Sequence, residues 1–205
     1  MSRRGGRPLT RSVGGTPVRR SVLVFTEGRN TEPSYLVGWW RALRDHLDLK
    51  ISPDHGTPAT LVRHAAAAKA RAARDAKKGR GDQYDAIWCV FDVDEHPDID
   101  AAIRDAERMS VGIAVSNPCI ELWFLLHWRD QTAYLDRHAA RAAVVPMVGA
   151  TKSLNAQAVQ SLITRHDDAP DRARALDHMH EGNGSSPRSN PSSGVWVLID
   201  DLRRR

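Results

Sequence analysis

Three acidic residues follow two apolar segments of the chain. Glu27 comes directly after one segment, and Asp92 and Asp94 come directly after another. Asp92 and Asp94 are two residues apart, so their carboxylates point to the same side of an extended chain. Three carboxylates in one small space repel each other unless a cation compensates them. Because hard oxygen ligands select Mg²⁺ or Mn²⁺, this pattern predicts a metal site that acts on a phosphate.

The elements around these acids decide whether they can meet. Residues 21–26 and 86–91 are predicted strands, and the second is a continuous apolar run typical of a strand buried in a parallel sheet. Ligand sites in such sheets lie beyond the carboxyl ends of the strands, where Glu27 and Asp92 would both stand. Gly28 would allow a tight turn and leave room for a phosphate. In the alternative interpretation, Glu27 only supports the next helix and the aspartates are solvated.

The rest of the first 130 residues alternates between strand and helix patterns. Further strands are predicted at 49–52 and 111–115, and helices after Thr31 and at 59–78, 99–109 and 118–128. This order predicts an α/β fold with a mainly parallel sheet and flanking helices. Asn117 would cap the helix at 118–128 or, alternatively, orient Glu121 or a bound nucleotide.

The chain beyond residue 130 shows a weaker helical pattern. Helices are predicted at 133–143, 152–165, 171–179 and 195–202, the last with Ser192 or Ser193 as its cap. We therefore expect three regions. They are a basic disordered tail at 1–20, an α/β core at 21–130, and a helical C-terminal extension at 131–205 with a mobile loop at 181–193.

Composition limits the classes of protein that the chain can belong to. The 205 residues carry a net charge of +5, and residues 1–20 contain six arginines and no acid. Basic tails attract polyanions such as DNA or RNA, although they are also typical of a solvated arm. The sequence has no membrane-spanning apolar run and no signal peptide, so we expect a cytoplasmic protein. Cys89 and Cys119 lie in apolar segments and are predicted to be buried and unpaired.

Three motifs together resemble a known family. A Glu-Gly after the first strand and a later strand ending in Asp-x-Asp resemble the Toprim domain of primases, topoisomerases and overcoming-lysogenization-defect nucleases. The detailed residue sequence of these motifs resembles the RloB-like (AbiLii-like) family of bacterial and phage-defence loci. The resemblance covers about residues 19–161 and the approach to the last helix at Asn190. The matching motifs are Thr26–Tyr35, Tyr84–Glu95 and Ser116–His127.

The resemblance implies a Mg²⁺- or Mn²⁺-dependent nuclease that acts on DNA or RNA in anti-phage (abortive infection) defence. Glu27 would be a general acid/base or metal ligand, and Asp92 and Asp94 would hold the metal. Glu121 would add a ligand for a second ion, and Lys152 would stabilise a phosphate or leaving oxygen. Alternatively, Glu121 makes a buried hydrogen bond at a helix start and Lys152 is solvated. The residues expected to contact phosphate or nucleic acid are Gly28, Arg29 and Asn117.

The resemblance also implies a separately encoded ATPase partner, and it leaves a homo-oligomer open. The sequence has no Gly-x-x-x-x-Gly-Lys-Ser/Thr run, which agrees with an ATPase supplied by another chain. One alternative is a non-catalytic nucleic-acid-binding or regulatory subunit. A haloacid-dehalogenase-type phosphatase is a weaker alternative, because its Asp-x-Asp normally ends the first strand and Glu27 would then have no purpose.

Overall fold

A five-stranded sheet forms the centre of the protein in the computed structural model, which describes residues 19–93, 99–149 and 153–204. Its strands are β1 (Arg20–Thr26), β2 (Leu47–Ile51), β3 (Ala86–Asp92), β4 (Gly112–Asn117) and β5 (Ser192–Ser193). Their spatial order is β2-β1-β3-β4-β5, in which the first four strands are parallel and β5 is antiparallel to β4. Asp94, Lys152 and almost all of the predicted tail at 1–20 lie outside the described residues.

Eight α-helices pack around this sheet within the described part of the chain. They are α1 (Thr31–Leu43), α2 (Pro58–Lys77), α3 (Ile99–Arg108), α4 (Ile120–Leu126), α5 (Arg137–Val148), α6 (Ala156–Thr164), α7 (Ala169–Gly182) and α8 (Val195–Arg203). The predicted α/β class, with a mainly parallel sheet and a helical C-terminal part, is confirmed. The proposed region boundaries and the mobility of 181–193 stay predictions.

Both faces of the sheet are covered by apolar layers. Along β1, Val22 and Val24 point into one layer, whereas Leu23 and Phe25 point into the other, as the two-residue period of a strand requires. The first layer includes side chains from α1 and from α4 to α8, and the second is completed by α2 and α3. The continuous apolar sequence of the strands follows from this burial on both faces.

The two serines before α8 have a different structural role from the one predicted. Ser192 and Ser193 form β5 and pair with the end of β4, and Ser193 Oγ lies 3.0 Å from Ser116 Oγ. Gly194 is the residue before α8, and no side chain caps the helix there. The serines therefore extend the sheet and neither occupies the cap position, although the backbone N–H of Val195 at the start of α8 donates to Ser193 Oγ at 3.5 Å. The predicted helix itself is confirmed.

Two histidines are buried in an aromatic cluster beneath α1. The ring of His166 meets Trp39 and Trp123 edge to face, with centroid separations of 4.8 and 5.9 Å. His127 Nδ1 lies 2.8 Å from the carbonyl oxygen of Trp123. Burial lowers the pKa of His127 to about 3 and that of His166 to about 4. Neither nitrogen of His166 has a hydrogen-bond partner among the described residues.

His166→Phe is expected to reduce the loss of stability in acid. Unfolded His166 takes up a proton near pH 6.5, whereas the folded residue does so only near pH 4. The wild type therefore loses stability as the pH falls between these values, by up to about 1.4 kcal/mol per pH unit for this histidine. Phe preserves the ring packing and does not titrate. Urea denaturation at several pH values would measure the effect, and parallel stability profiles for the two proteins would contradict it.

Candidate active site

The ends of β1 and β3 bring Glu27 and Asp92 together. The two strands are adjacent and parallel, and Thr26 is opposite Val90. The backbone N–H of Glu27 donates to the carbonyl oxygen of Val90 at 3.0 Å. The backbone N–H of Asp92 donates to Glu27 Oε2 at 3.2 Å. The sequence pattern predicts that these two residues are neighbours, and the parallel pairing of β1 and β3 brings them together.

Glu32 is a third acid at this edge, and its place in the site was missed from the sequence. It is 6% exposed, and Glu32 Oε1 accepts a hydrogen bond from the backbone N–H of Gly28 at 3.1 Å. Burial raises the pKa of Glu32, and the charges of Glu27 and Glu121 raise it further. The sequence signal was its position in the first turn of α1, since a helix that follows β1 begins at the edge where Glu27 stands.

Asp92 at the end of β3 has a carboxyl group with a raised pKa. Burial raises the pKa of Asp92 well above its usual value, and the charges of Glu32, Glu27 and Glu121 raise it further. The positive charge of Arg137 acts in the opposite direction. Glu27, Glu32, Asp92 and Glu121 therefore form one electrostatically coupled group, which we call the carboxylate cluster.

Glu121 enters the carboxylate cluster from the first turn of α4. Its side chain is almost fully buried, and Arg141 Nε donates to Glu121 Oε1 at 3.1 Å. Arg137 and Arg141 are four residues apart on α5 and so lie on one face of that helix. The sequence pattern of α5 predicted a helix, but it did not show that Arg137 and Arg141 would offset the negative charge of the carboxylate cluster.

The missing side chain of Gly28 makes room for Glu32. A Cβ at Gly28 would lie 2.2 Å from Glu32 Oε2, and Gly28 does not have a positive φ. The space beside Gly28 that was predicted to admit a phosphate is therefore filled by the Glu32 carboxylate. Phosphate binding by Gly28 stays a prediction.

Gly28→Ala is expected to destabilise the protein by about 1–3 kcal/mol, because the new methyl group displaces the Glu32 carboxylate from its backbone donor. Thermal unfolding of Gly28→Ala, Glu32→Ala and the double variant would measure the coupling. The double variant should lose less than the sum of the two single losses. If the two single losses of stability simply add in the double variant, the contact between residue 28 and Glu32 is not the cause of the destabilisation.

Asn117 and Arg29 were both expected to contact phosphate or nucleic acid. Asn117 Nδ2 donates to the carbonyl oxygen of Arg188 at 2.8 Å, and Cys119 is the residue before α4, without a side-chain cap. The prediction that Asn117 caps this helix is therefore wrong, because its amide holds the Arg188 segment. Arg29 is exposed and lines a groove of about 590 Å³ between α1 and α6. The proposed phosphate contacts of both residues stay predictions.

The donor chemistry of the carboxylate cluster suits a hard divalent cation. All four side chains supply oxygen, and burial together with the neighbouring acidic charges raises the pKa of Asp92, so a cation would relieve the repulsion among the acids. Within residues 19–93, 99–149 and 153–204, no group of three or more His, Cys, Asp or Glu side chains could hold a metal ion as they stand. Asp94, a predicted ligand, and Lys152 lie outside these ranges.

Comparison with known protein families matches residues 22–202 to a family described as RloB-like protein. The matched segment runs from β1 to α8 and includes the whole carboxylate cluster. No curated protein matches the chain. Among the helices of the described residues, none is long and apolar enough to cross a membrane.

Proposed function

The chain belongs to the RloB-like family, and we propose that its carboxylate cluster is the active site of a Mg²⁺-dependent Toprim-type nuclease. The observation that carries this proposal is the contact between Glu27 and Asp92 at the carboxyl ends of neighbouring parallel strands. The pKa of Asp92 is raised by burial and by three other acids, and perturbed carboxyl groups of this kind are concentrated at catalytic sites.

Each acid has a distinct part in this proposal. Asp92 and Asp94 would hold the ion, which when bound polarises the scissile phosphate. Glu27 would bind the ion or take a proton from the attacking water. Glu32 keeps the turn at Gly28 in place through its hydrogen bond to the backbone. Lys152 would stabilise the leaving oxygen.

The arginines of α5 balance the charge of the carboxylate cluster. Arg141 pairs with Glu121, and Arg137 lies near enough to lower the pKa of Asp92. Together they reduce the repulsion that a phosphodiester would meet as it approaches four acids. Glu121 in this pair would either accept a second ion or orient Arg141.

The groove between α1 and α6 supports nucleic acid as the substrate. Arg29 and Arg41 both line it, and neither forms an ion pair or hydrogen bond with another described residue. About 15 Å of helix separates Arg41 from the start of α1 at Thr31, so the two arginines are spaced along the groove. Phosphates of a DNA or RNA strand would satisfy both, and binding would then weaken as salt rises.

The resemblance to defence proteins further supports a role in bacterial anti-phage defence with an ATPase encoded separately. A second candidate function is a non-catalytic nucleic-acid-binding subunit. The ion pair between Arg141 and Glu121 favours it, because a paired carboxylate is less available as a ligand. The two candidates differ in whether any phosphodiester bond is cut.

The test is cleavage of labelled single-stranded and duplex DNA and RNA with Mg²⁺, Mn²⁺ or EDTA. Asp92→Asn/Asp94→Asn removes two proposed ligands, and Asp82→Asn, at an exposed position before β3, is the matched control. We expect cleavage by the wild type and by Asp82→Asn, and none by the double variant. Undiminished cleavage by the double variant would reject the proposal. Binding without cleavage in all three, also with the ATPase added, would favour the second candidate.

A further inference from the structure

Tyr134 is an exposed aromatic residue on a fixed backbone. Its side chain is 76% exposed, although most large apolar side chains of this protein are buried. Next to it, the backbone N–H of Leu135 donates to Asn190 Oδ1 at 3.0 Å, and Asn190 Nδ2 donates to the Leu135 carbonyl oxygen at 2.8 Å. Asp136 Oδ1 then accepts from the backbone N–H of Ala139 at 2.9 Å and begins α5. The ring is therefore presented to solvent by an ordered segment.

The pocket beside Tyr134 adjoins the carboxylate cluster. It has a volume of about 490 Å³, and Tyr134, Asn117, Arg137, His138 and Arg141 line it. Val93, the residue after Asp92, also lines it. The pocket thus lies between an exposed aromatic ring and the proposed catalytic acids.

The charge of this pocket suits a phosphate group. Arg137 and Arg141 line the pocket together with His138, whose side chain is exposed. Asp136 also lines the pocket, but its carboxylate is engaged in capping α5. An aromatic platform next to cationic side chains is the combination with which proteins hold an unpaired base and its phosphate.

We propose that Tyr134 stacks on an unpaired base of the substrate while Arg137 and His138 contact an adjoining phosphate. This inference rests on the proposed function and narrows it, because a base inside an intact duplex is stacked on its neighbours and does not present its face to the ring. The preferred substrate is then single-stranded nucleic acid, or a duplex at a position where a base is unpaired. Tyr134 positions the strand so that the next phosphate lies over the carboxylate cluster.

The experiment measures binding in EDTA, so that it does not depend on cleavage. Fluorescence anisotropy with a labelled single-stranded DNA oligonucleotide, the same sequence as RNA, and the matching duplex gives the affinity of each protein. Tyr134→Ala should bind the single strands about 10-fold or more weakly, because stacking on one base is lost. Tyr134→Phe keeps the ring and should bind within about 2-fold of the wild type. Trp40→Ala removes an exposed aromatic residue elsewhere, on α1, and should not change the affinity for any of the three nucleic acids.

Each outcome bears on the inference. Single-strand binding by Tyr134→Ala equal to that of the wild type would overturn it, as would an equal loss of single-strand and duplex binding. Absence of single-strand binding by the wild type would also overturn it. Binding that depends on Tyr134 in a protein that never cleaves would keep the inference and reject the nuclease. Cleavage by a protein whose binding does not depend on Tyr134 would support the nuclease and overturn the inference about Tyr134.

Discussion

Asp92→Asn is expected to unfold at a higher temperature than the wild type and to lose metal-dependent cleavage. The raised pKa of Asp92 means that its ionised form is disfavoured by burial and by the neighbouring acids. Asn has nearly the same shape and carries no charge, so the folded state no longer bears that cost at neutral pH. Each kcal/mol gained would raise the unfolding temperature by about 2–4 °C. Cleavage should fall by more than about 100-fold, because a proposed ligand of the ion is lost.

Calorimetry with and without Mg²⁺ separates these two effects. Mg²⁺ should stabilise the wild type, since an ion that binds the folded state shifts unfolding, and should stabilise Asp92→Asn much less. The exposed control Asp82→Asn should behave like the wild type in every measurement. A lower unfolding temperature for Asp92→Asn would contradict the claim that the charge of Asp92 destabilises the folded state. Equal stabilisation of Asp92→Asn and the wild type by Mg²⁺ would contradict the proposal that Asp92 binds the ion.

Asp201→Ala is expected to cost about 3 kcal/mol of stability, at the lower end of the range for breaking a buried ion pair. Asp201 on α8 is 7% exposed and accepts hydrogen bonds from Arg20 Nη2 at 2.8 and 2.9 Å and from Trp88 Nε1 at 2.9 Å. The substitution leaves the indole N–H without its acceptor and removes the carboxylate from a partly buried guanidinium, which keeps only the backbone carbonyl oxygen of residue 201. The lower end of the range applies because the Arg20 side chain is 21% exposed. Urea denaturation gives the free energy directly.

Asp200→Ala is the matched control for this substitution. Asp200 is the neighbouring residue on α8 and pairs with Arg174 at 3.0 Å, but both side chains are more than a third exposed. An exposed pair contributes about 1 kcal/mol or less. If the two substitutions had equal costs, the network around Asp201 would not stabilise the fold in the way described.

The sequence predicted the Glu27–Asp92 contact because it depends on local patterns. Each acid directly follows an apolar strand, and parallel strands end at one edge of a sheet. Glu32 and Arg141 could not be found in the same way. Glu32 accepts a hydrogen bond from the backbone of Gly28, and Arg141 reaches Glu121 from a different helix. Neither contact follows from the strand pattern that predicted the Glu27–Asp92 pair.

β5 shows a second limit of sequence patterns. Two serines before a helix are typical of a cap, and two residues are too few to show the alternation of a strand. Their pairing with Ser116 and Asn117 is a long-range contact that a local pattern does not contain. The family resemblance identified the three acidic motifs, but it did not predict the two-residue strand beside them.

The contact between Arg20 and Asp201 also has a kinetic consequence. It joins two residues 181 positions apart, so the entropy of closing that loop must be overcome before the contact forms. Contacts of such long range are expected to form late in folding, after the parallel strands have paired. Asp201→Ala should therefore accelerate unfolding and leave the rate of refolding almost unchanged. The hydrogen bonds between β1 and α8 would then act mainly on how long the folded protein persists.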